Sequence, residues 1–429
     1  MKIPFSYLKY NYITDNTKEI DDETIFLQTS QNSKYIQDLD IESITPHKLV
    51  EIWDLDQLRV VGVTGTNGKT TVSGALYSIL LDLGEKVGLQ GTRGFFANEE
   101  RLEERSMTTP SVFETIHHMK QSLDMGCRYF VMEVSSHAIE QKRIEGIDFA
   151  LKIHTNITAD HLDYHKTIEE YRRVKSLFFE DESIKLLNKD DLTHLTYNPT
   201  NAYSYGVDNP ATFKVQAFSL QDGITAYIKN LDIEATFHSH MVGLFNLYNL
   251  MAAIGAASLL TKKPLQQICD VVEDFGGVAG RMEVVSRNPL VIVDFAHTDD
   301  GILQVLQSMK DKKLSVVFGA GGNRDKLKRP RMGSAVGRFA NKIYVTSDNP
   351  RDEEPSEIIN EIMVGLEGKD NVNVIIDRRE AIHKAIDDLG SGDALLILGK
   401  GDEDYQEIKG VKHHFDDREV VREYLAINN

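Results

Sequence analysis

One segment dictates much of what this chain can fold into: Val61-Gly62-Val63-Thr64-Gly65-Thr66-Asn67-Gly68-Lys69-Thr70-Thr71. An apolar run from Arg59 to Val63 enters a glycine-rich turn ending Gly-Lys-Thr, and a helical pattern continues from about Thr71 to Leu83. In the order strand, loop, helix, successive backbone N–H groups and the positive end of the helix can wrap an anionic phosphate chain. Lys69 supplies a cation for the terminal phosphates, and the Thr70 hydroxyl is placed to hold Mg²⁺. Only Thr66 and Asn67 separate Gly65 from Gly68-Lys69, so the loop is a shortened variant of the usual one. The segment predicts ATP binding.

A chain of 429 residues has room for about two or three domains, each with its own core. Hydrophobic content of 41% and charged content of 27% belong to a globular protein. No apolar stretch is expected to approach a membrane span, and the start Met1-Lys2-Ile3-Pro4-Phe5-Ser6-Tyr7 lacks a signal peptide's apolar core. We therefore expect no membrane insertion. Cys127 and Cys269 offer no disulfide framework and fit a reducing cytoplasm. A net charge of −18 argues against nucleic acid as a partner. The segment from Arg324 to Arg331 departs from it, with five cations in eight residues. Following Phe318-Gly319-Ala320-Gly321-Gly322-Asn323 at a strand end, it reads as a small-anion site.

Residues 1 to about 57 are weakly patterned. From Arg59 the chain alternates strands (Lys86–Leu89, Arg128–Val134, Phe149–Thr155) with helices (Ser111–Met125, Thr167–Phe179). Such βα alternation implies a doubly wound, mostly parallel sheet with ligands at the strand C-termini. From about Leu192 to Phe237 the pattern is β-like, with turns expected at Tyr205-Gly206 and Asp222-Gly223, and a helix follows over Leu244–Leu260. A second α/β unit begins near Gly280-Arg281-Met282-Glu283, with strands over Leu290–Phe295, Leu314–Phe318, Lys342–Thr346, Val372–Ile376 and Ala394–Leu398. The expected fold is thus α/β in three domains: a small N-terminal α/β domain (1–57), a central phosphate-loop domain (58–280) and a C-terminal Rossmann-like α/β domain (281–429).

Several strand ends carry chemistry. Glu133, closing Val131-Met132-Glu133-Val134-Ser135-Ser136-His137, is a candidate Mg²⁺ ligand, since a hard cation takes oxygen donors. The run Asp160-His161-Leu162-Asp163-Tyr164-His165 suits metal or proton chemistry. Zinc would use its histidines more readily, whereas the adjacent ATP loop favours Mg²⁺. Lys175 has large apolar neighbours on its helix and, from spacing alone, reads as a snorkelling surface lysine. Asp294 is placed to hold a ribose or to cap a turn. Asp348-Asn349-Pro350-Arg351 and Gly399-Lys400-Gly401-Asp402-Glu403 end two further strands. An Arg and two acids converging there would suit a zwitterion, the Arg pairing with carboxylate and the acids with ammonium.

Together these motifs resemble the Mur ligases, ATP-dependent amide-bond enzymes of peptidoglycan synthesis. The resemblance runs in the family's order from about Val61 to Glu403 and includes Gly243-Leu244-Phe245-Asn246-Leu247-Tyr248-Asn249, Gly280-Arg281-Met282-Glu283 and Asp294-Phe295-Ala296-His297-Thr298. It implies ATP at Gly65, Thr66, Asn67, Gly68, Lys69, Thr70, Thr71, Asn246, Arg281 and Asp294. Mg²⁺ would be held by Thr70, Glu133, His161 and Lys175, the last as N6-carboxylysine. Lys69, Lys175 and His161 become the catalytic set. A UDP-sugar substrate, UDP-N-acetylmuramoyl-L-alanyl-D-glutamate, would meet Ser30, Thr108, Thr109, Ser135, Gln141 and Arg143. The amino acid would meet Arg324, Asp348, Asn349, Pro350, Arg351, Gly399 and Glu403. In the family Asp-Asn-Pro-Arg goes with meso-diaminopimelate, and lysine-adding relatives usually lack that Arg. The implied protein is a cytoplasmic monomer making an acyl phosphate on the D-glutamate. Readings that compete are the same ligase using L-lysine, a folylpolyglutamate synthetase-like ligase, and a non-catalytic nucleotide-binding partner.

Overall fold

The computed structural model describes every residue of the chain except Arg105, Ser106, Ala159, His161, Asp222 and Asn429. The chain forms two compact units. The first comprises Met1–Phe218, Ala226–His238 and Tyr248–Phe275; the second comprises Ser219–Thr225, Ser239–Leu247 and Gly276–Asn429.

In the first unit the strand Arg59–Thr64 lies between Leu151–His154 and Tyr129–Glu133, parallel to both. Val87–Gly91, Lys185–Asn188 and Ala202–Gly206 extend this parallel core on either side. Register sets Val63 beside Glu133 and Thr64 beside His154, so three strand C-termini open at one edge. Further strands complete an eleven-stranded sheet, among them the antiparallel Gly94–Ala97 and Glu100–Glu103. Val60, Val61 and Val63 are at most 2% exposed, as an apolar run buried on both faces of a parallel sheet should be.

Elements expected from the sequence recur with ends moved by a few residues: helices Lys69–Asp82, Val112–Asp124 and Ile168–Leu177, and strands Val87–Gly91, Tyr129–Glu133 and Leu151–His154. Two expectations need correcting. Tyr205-Gly206 closes the strand Ala202–Gly206 rather than forming a turn, because Tyr205 is buried and its hydroxyl donates to the His154 carbonyl at 3.0 Å. The other expected turn, Asp222-Gly223, lies partly outside the described residues. The helix Leu244–Thr261 is also long and apolar enough to cross a membrane, with a mean hydropathy of 1.4, contrary to the sequence reading. It is 67% buried within the protein, as a core helix is.

The weakly patterned first block is itself a four-stranded sheet, Lys2–Tyr7, Tyr10–Thr14, Thr24–Leu27 and Ser43–Ile44, followed by the helix Pro46–Ile52. Alternation does operate here, since Ile3 and Phe5 point inward between exposed neighbours. Its core continues into the central layers: Phe5, Leu49, Val50, Leu55 and Leu58 share one hydrophobic cluster with Phe113, Ile116, Met119 and Phe130. Burying each such side chain contributes about 1.5–3 kcal/mol. Trp53 packs edge-on against Phe5 at 5.8 Å and lies 6.5 Å from His117 on the helix Val112–Asp124.

The second unit is built on a six-stranded sheet whose neighbours Leu290–Asp294, Ala394–Leu398, Leu314–Phe318, Lys342–Val345 and Val372–Val374 are all parallel. Strand alternation sorts its apolar residues to two faces. Ile292, Val316, Ile343 and Leu396 join a core with Ile302, Met332 and Ile359, from helices Asp299–Ser308, Lys328–Gly337 and Pro355–Val364. Val291, Val317, Tyr344 and Leu395 join another with Ile382 and Val420, from helices Arg378–Asp387 and Asp417–Asn428. A sheet covered on both faces is the doubly wound arrangement.

Leu49→Ala should lower stability by about 2–5 kcal/mol, the usual cost of a buried Leu→Ala cavity. Because the core is shared, Trp53 fluorescence and amide protection in the strand Tyr129–Glu133 should be lost together in urea. Protection in that strand outlasting the Trp53 signal would show that the first block melts by itself.

Candidate functional site

The phosphate loop is shaped by neighbours on three sides. Gly68 has φ +86° and caps the helix Lys69–Asp82. A Cβ there would also stand 2.4 Å from Asn249 Oδ1, so glycine is required on both counts. Asn156 clamps the loop, its Oδ1 accepting from Asn67 N–H at 2.9 Å and its Nδ2 donating to the Asn67 carbonyl at 3.1 Å. The Thr66 hydroxyl meets Tyr171 OH at 3.0 Å. Lys69 Nζ folds back to donate to the carbonyls of Gly65 (2.8 Å) and Thr66 (2.9 Å).

Thr70 and Glu133, distant in sequence, come together: the Thr70 hydroxyl donates to Glu133 Oε2 at 3.0 Å. Thr92 adds its N–H to Oε1 (2.9 Å) and its hydroxyl to Oε2 (3.2 Å). Glu133 is 2% exposed, so the donors offset a desolvation cost that an unpaired buried carboxylate would carry. A cluster of buried carboxylate and hydroxyl oxygens suits a hard cation. His161, expected to join it, lies outside the described residues. His165, from the same run, is instead buried against Ser136 Oγ at 2.9 Å, and burial lowers its pKa.

Lys175 corrects the snorkelling-lysine reading. It is 1% exposed, and its Nζ donates to Gly65 O (3.0 Å) and Thr64 Oγ1 (3.2 Å) above the Tyr171 ring. Spacing along one helix could not reveal that this face packs on the phosphate loop. Burial foremost, and then repulsion from Lys69, hold its pKa well below the ordinary lysine value. The buried amine is thereby driven toward its neutral, nucleophilic form.

The residues expected at the sugar form a connected web. Thr108 Oγ1 meets Thr92 Oγ1 at 3.1 Å, Thr109 Oγ1 donates to the Glu133 carbonyl at 2.9 Å, and Ser135 N–H donates to Thr109 Oγ1 at 3.0 Å. Arg143 Nη1 donates to Thr109 O at 3.0 Å and its Nη2 to Gln141 Oε1 at 2.6 Å. Ser30 stands exposed outside the web, its N–H on Glu145 Oε2 at 2.9 Å. Its neighbour Gln31 donates to the Gln141 carbonyl at 2.8 Å.

In the second unit Asn246 is 1% exposed and donates to the Val242 carbonyl at 2.8 Å. Asp294 accepts from the N–H groups of Met282 (2.8 Å) and Ala296 (2.7 Å), which is the turn-capping alternative, and burial raises its pKa. The Arg281 guanidinium stacks 4.1 Å from the Phe295 ring centroid. Asn349 donates to Glu403 Oε2 at 2.8 Å and accepts from Glu407 N–H at 2.9 Å, and Lys400 Nζ lies 3.4 Å from both Asn349 Oδ1 and Glu403 Oε2. Gly399, at φ +114°, passes so close that a Cβ would meet Asp348 Oδ2 at 2.6 Å. Pro350 leads into Arg351, which adopts φ +51° and sends Nη1 to the Gly322 carbonyl (2.8 Å) and Nε toward Glu407 (3.3 Å).

The anion-site reading of the Arg324–Arg331 cluster fails for most of its cations. Arg329 is 1% exposed and forks onto Glu353 and Glu361, holding the Glu353 pKa down at about 2; Lys326 lies 3.3 Å from Glu353, and Arg331 lies 3.6 Å from Asp299. Arg324 remains exposed beside Gly321. Sequence reasoning left Thr92, Asn156, Asn249 and Lys400 without roles. The available signal was position, since Thr92, Asn156 and Lys400 each follow closely on a strand C-terminus.

The depressed Lys175 pKa has a definite pH signature. Between its folded and unfolded values the unfolded chain binds the extra proton, so stability climbs as pH rises toward the ordinary value of 10.5. Urea unfolding in carbonate-free buffer from about pH 6 to pH 9 should show that climb in the parent and a flatter curve in Lys175→Met. Parallel curves would show that Lys175 keeps its proton in the fold.

Residues 63–257 match the Mur ligase middle domain and residues 280–401 the Mur ligase glutamate ligase domain. The chain is 49% identical over 421 residues to the UDP-N-acetylmuramoyl-L-alanyl-D-glutamate–2,6-diaminopimelate ligase of Helicobacter hepaticus, covering 94% of this chain and 90% of that one. It is similar to a solved structure of an enzyme of that name, with 29% identity, a TM-score of 0.70, and 97% and 94% of the two chains covered. A Mycobacterium tuberculosis folylpolyglutamate synthase, solved with ADP and AMPPCP, shares the fold at 15% identity and a TM-score of 0.64, over 82% and 92% of the chains.

Proposed function

The chain belongs to the Mur ligase family, and from that premise we propose that it joins meso-2,6-diaminopimelate to the D-glutamate of UDP-N-acetylmuramoyl-L-alanyl-D-glutamate at the expense of ATP. The observation that carries the reading is the meeting of the Gly65–Thr71 loop, the Thr70–Glu133 pair and the buried Lys175 at one sheet edge. The enzyme is an ADP-forming acid–amino-acid ligase of peptidoglycan synthesis, and we assign it to the cytoplasm as a monomer.

A carboxylate is a poor acyl donor. The D-glutamyl carboxylate therefore attacks the ATP γ-phosphorus, the bond to the β-phosphate oxygen breaks, and an acyl phosphate and ADP result. The neutral amine of diaminopimelate then adds to the activated carbonyl, loses a proton and expels phosphate. Loop N–H groups from Gly65 to Thr71 orient the phosphates, and Lys69 exchanges its carbonyl partners for the transferring group, an electrostatic and positioning contribution. The oxygen donors Thr70 and Glu133 fit Mg²⁺, which when bound neutralises phosphate charge, and we assign His161 to the same ion on the family pattern alone. CO₂ added to the neutral Lys175 amine, with loss of a proton, would give an anionic N6-carboxylysine ligand beside it.

We assign residues 1–57, with Ser30, to the uridine end, residues 58–280 to ATP and the sugar, and residues 281–429 to the amino acid. Thr108, Thr109, Ser135, Gln141 and Arg143 take the sugar and peptide. Asn246, Arg281 and Asp294 take the adenosine end on the family pattern. Arg324, Asp348, Asn349, Pro350, Arg351, Gly399 and Glu403 hold the amino acid, with Arg351 clamping its distal carboxylate.

Phosphate release with ATP, Mg²⁺ and the UDP-dipeptide should proceed with meso-diaminopimelate and much more slowly with L-lysine. Equal turnover with lysine would remove the specificity role of Arg351, and turnover only with folate substrates would replace the reading. Arg351→Ala should lower kcat/KM for diaminopimelate about 10- to 100-fold, the worth of a charged hydrogen bond, while ATP affinity stays constant. Unchanged kinetics would remove the clamp.

A further inference from the structure

The strand Glu100–Glu103 and the helix Val112–Asp124 bring together three side chains that the ligase reaction does not use. Glu114 and His118 are one helical turn apart and share a face. One ligand atom from each of Glu103, Glu114 and His118 lies within 4.8 Å of the others. His118 is completely buried, its ring stacked 4.3 Å from Phe95, whereas Glu103 is half-buried with its side chain 43% exposed, which gives an ion a way in. Gln90 donates its amide N–H to Thr115 at 3.2 Å, which turns its carbonyl oxygen toward His118 Nδ1 at 2.7 Å. An amide oxygen only accepts, so Nδ1 carries a proton and the Nε2 lone pair faces the carboxylates. Nε2 lies 3.1 Å from Glu103 Oε2, yet has no aligned hydrogen-bond partner among the described residues.

A lone pair turned toward an anion is unfavourable unless a cation lies between them. Two donors bound about 2.0–2.2 Å from one zinc ion stand roughly 3–3.5 Å apart, neither aimed straight at the other. We propose that Glu103, Glu114 and His118 hold a divalent transition-metal ion of the zinc class. The imidazole nitrogen favours that class over Mg²⁺. Gln90 is the outer partner that fixes the ring tautomer, as a metal-bound histidine requires. The ion would fasten the end of the strand, just before Thr108 and Thr109 in sequence, to the helix.

The test uses the metal-stripped, full-length protein without nucleotide, titrated with Co²⁺ for its visible spectrum and with Zn²⁺ by calorimetry. One equivalent of Co²⁺ should develop absorption bands of low coordination number, and Zn²⁺ should displace it and raise the Tm. Glu103→Gln, at a half-buried position outside the hydrophobic core, should weaken Zn²⁺ binding at least about 10-fold. Glu133→Gln should keep the Co²⁺ spectrum, which separates this ion from any cation at the phosphate loop. Equal Zn²⁺ affinity in the parent and Glu103→Gln, or no Co²⁺ spectrum, would overturn the proposal. So would a His118 ring that simply titrates as an imidazolium paired with Glu103.

Discussion

Two lysine amines share one carbonyl. Lys69 and Lys175 both donate to Gly65 O, one from the helix that starts at the loop and the other from a helix more than a hundred residues later. Burial first, and then repulsion between two amines this close, hold down the proton affinity of Lys175. The loop is therefore crossed by two amines that both hold the Gly65 carbonyl, and one of them, Lys175, is driven toward its neutral form. Tyr171, Asn156 and Asn249 complete its frame from three separate elements. A substitution at any of them acts on the loop without touching its own residues.

The second unit solves a similar problem with a buried ion pair. Arg378 and Asp417 are both nearly inaccessible and pair through two 2.8 Å hydrogen bonds. The same guanidinium donates to the carbonyls of Leu398 (3.0 Å) and Ser347 (3.4 Å). Leu398 ends its strand and Ser347 lies two residues beyond the strand Lys342–Val345, and the two lead into Gly399 to Glu403 and Asp348 to Arg351. A buried pair of this kind contributes little net stability, but losing one partner leaves an uncompensated charge. Its value here is geometric, since it sets the spacing of two loops that must present Asn349 and Glu403 to each other.

What the sequence disclosed and what it withheld follow from range. The phosphate loop, the βα alternation and the strand-end acids are local signals, and they suffice to set Thr70, Glu133, Asn349 and Glu403 at the C-terminal edges of their sheets. Lys175 looked solvated because helical spacing carries no information about the surface packed against it. The Arg324–Arg331 run looked like an anion site because its carboxylates, Glu353 and Glu361, lie well downstream. The first block looked patternless because its strands are short and two of its pairings are parallel, which hides the hairpin signature. Asn249 escaped because nothing in a helical register shows that it abuts Gly68.

The continuous core beneath Phe5, Leu49 and Phe113 bears on how such chains can recombine. A crossover placed at the end of the helix Pro46–Ile52 would set one parent's apolar contour against another's mismatched surface. The heritable module is instead the first block together with the helix Val112–Asp124 on which it rests. Chimeras that carry this helix along preserve the seam, whereas those cut at the linker inherit two half-cores that were never fitted to each other.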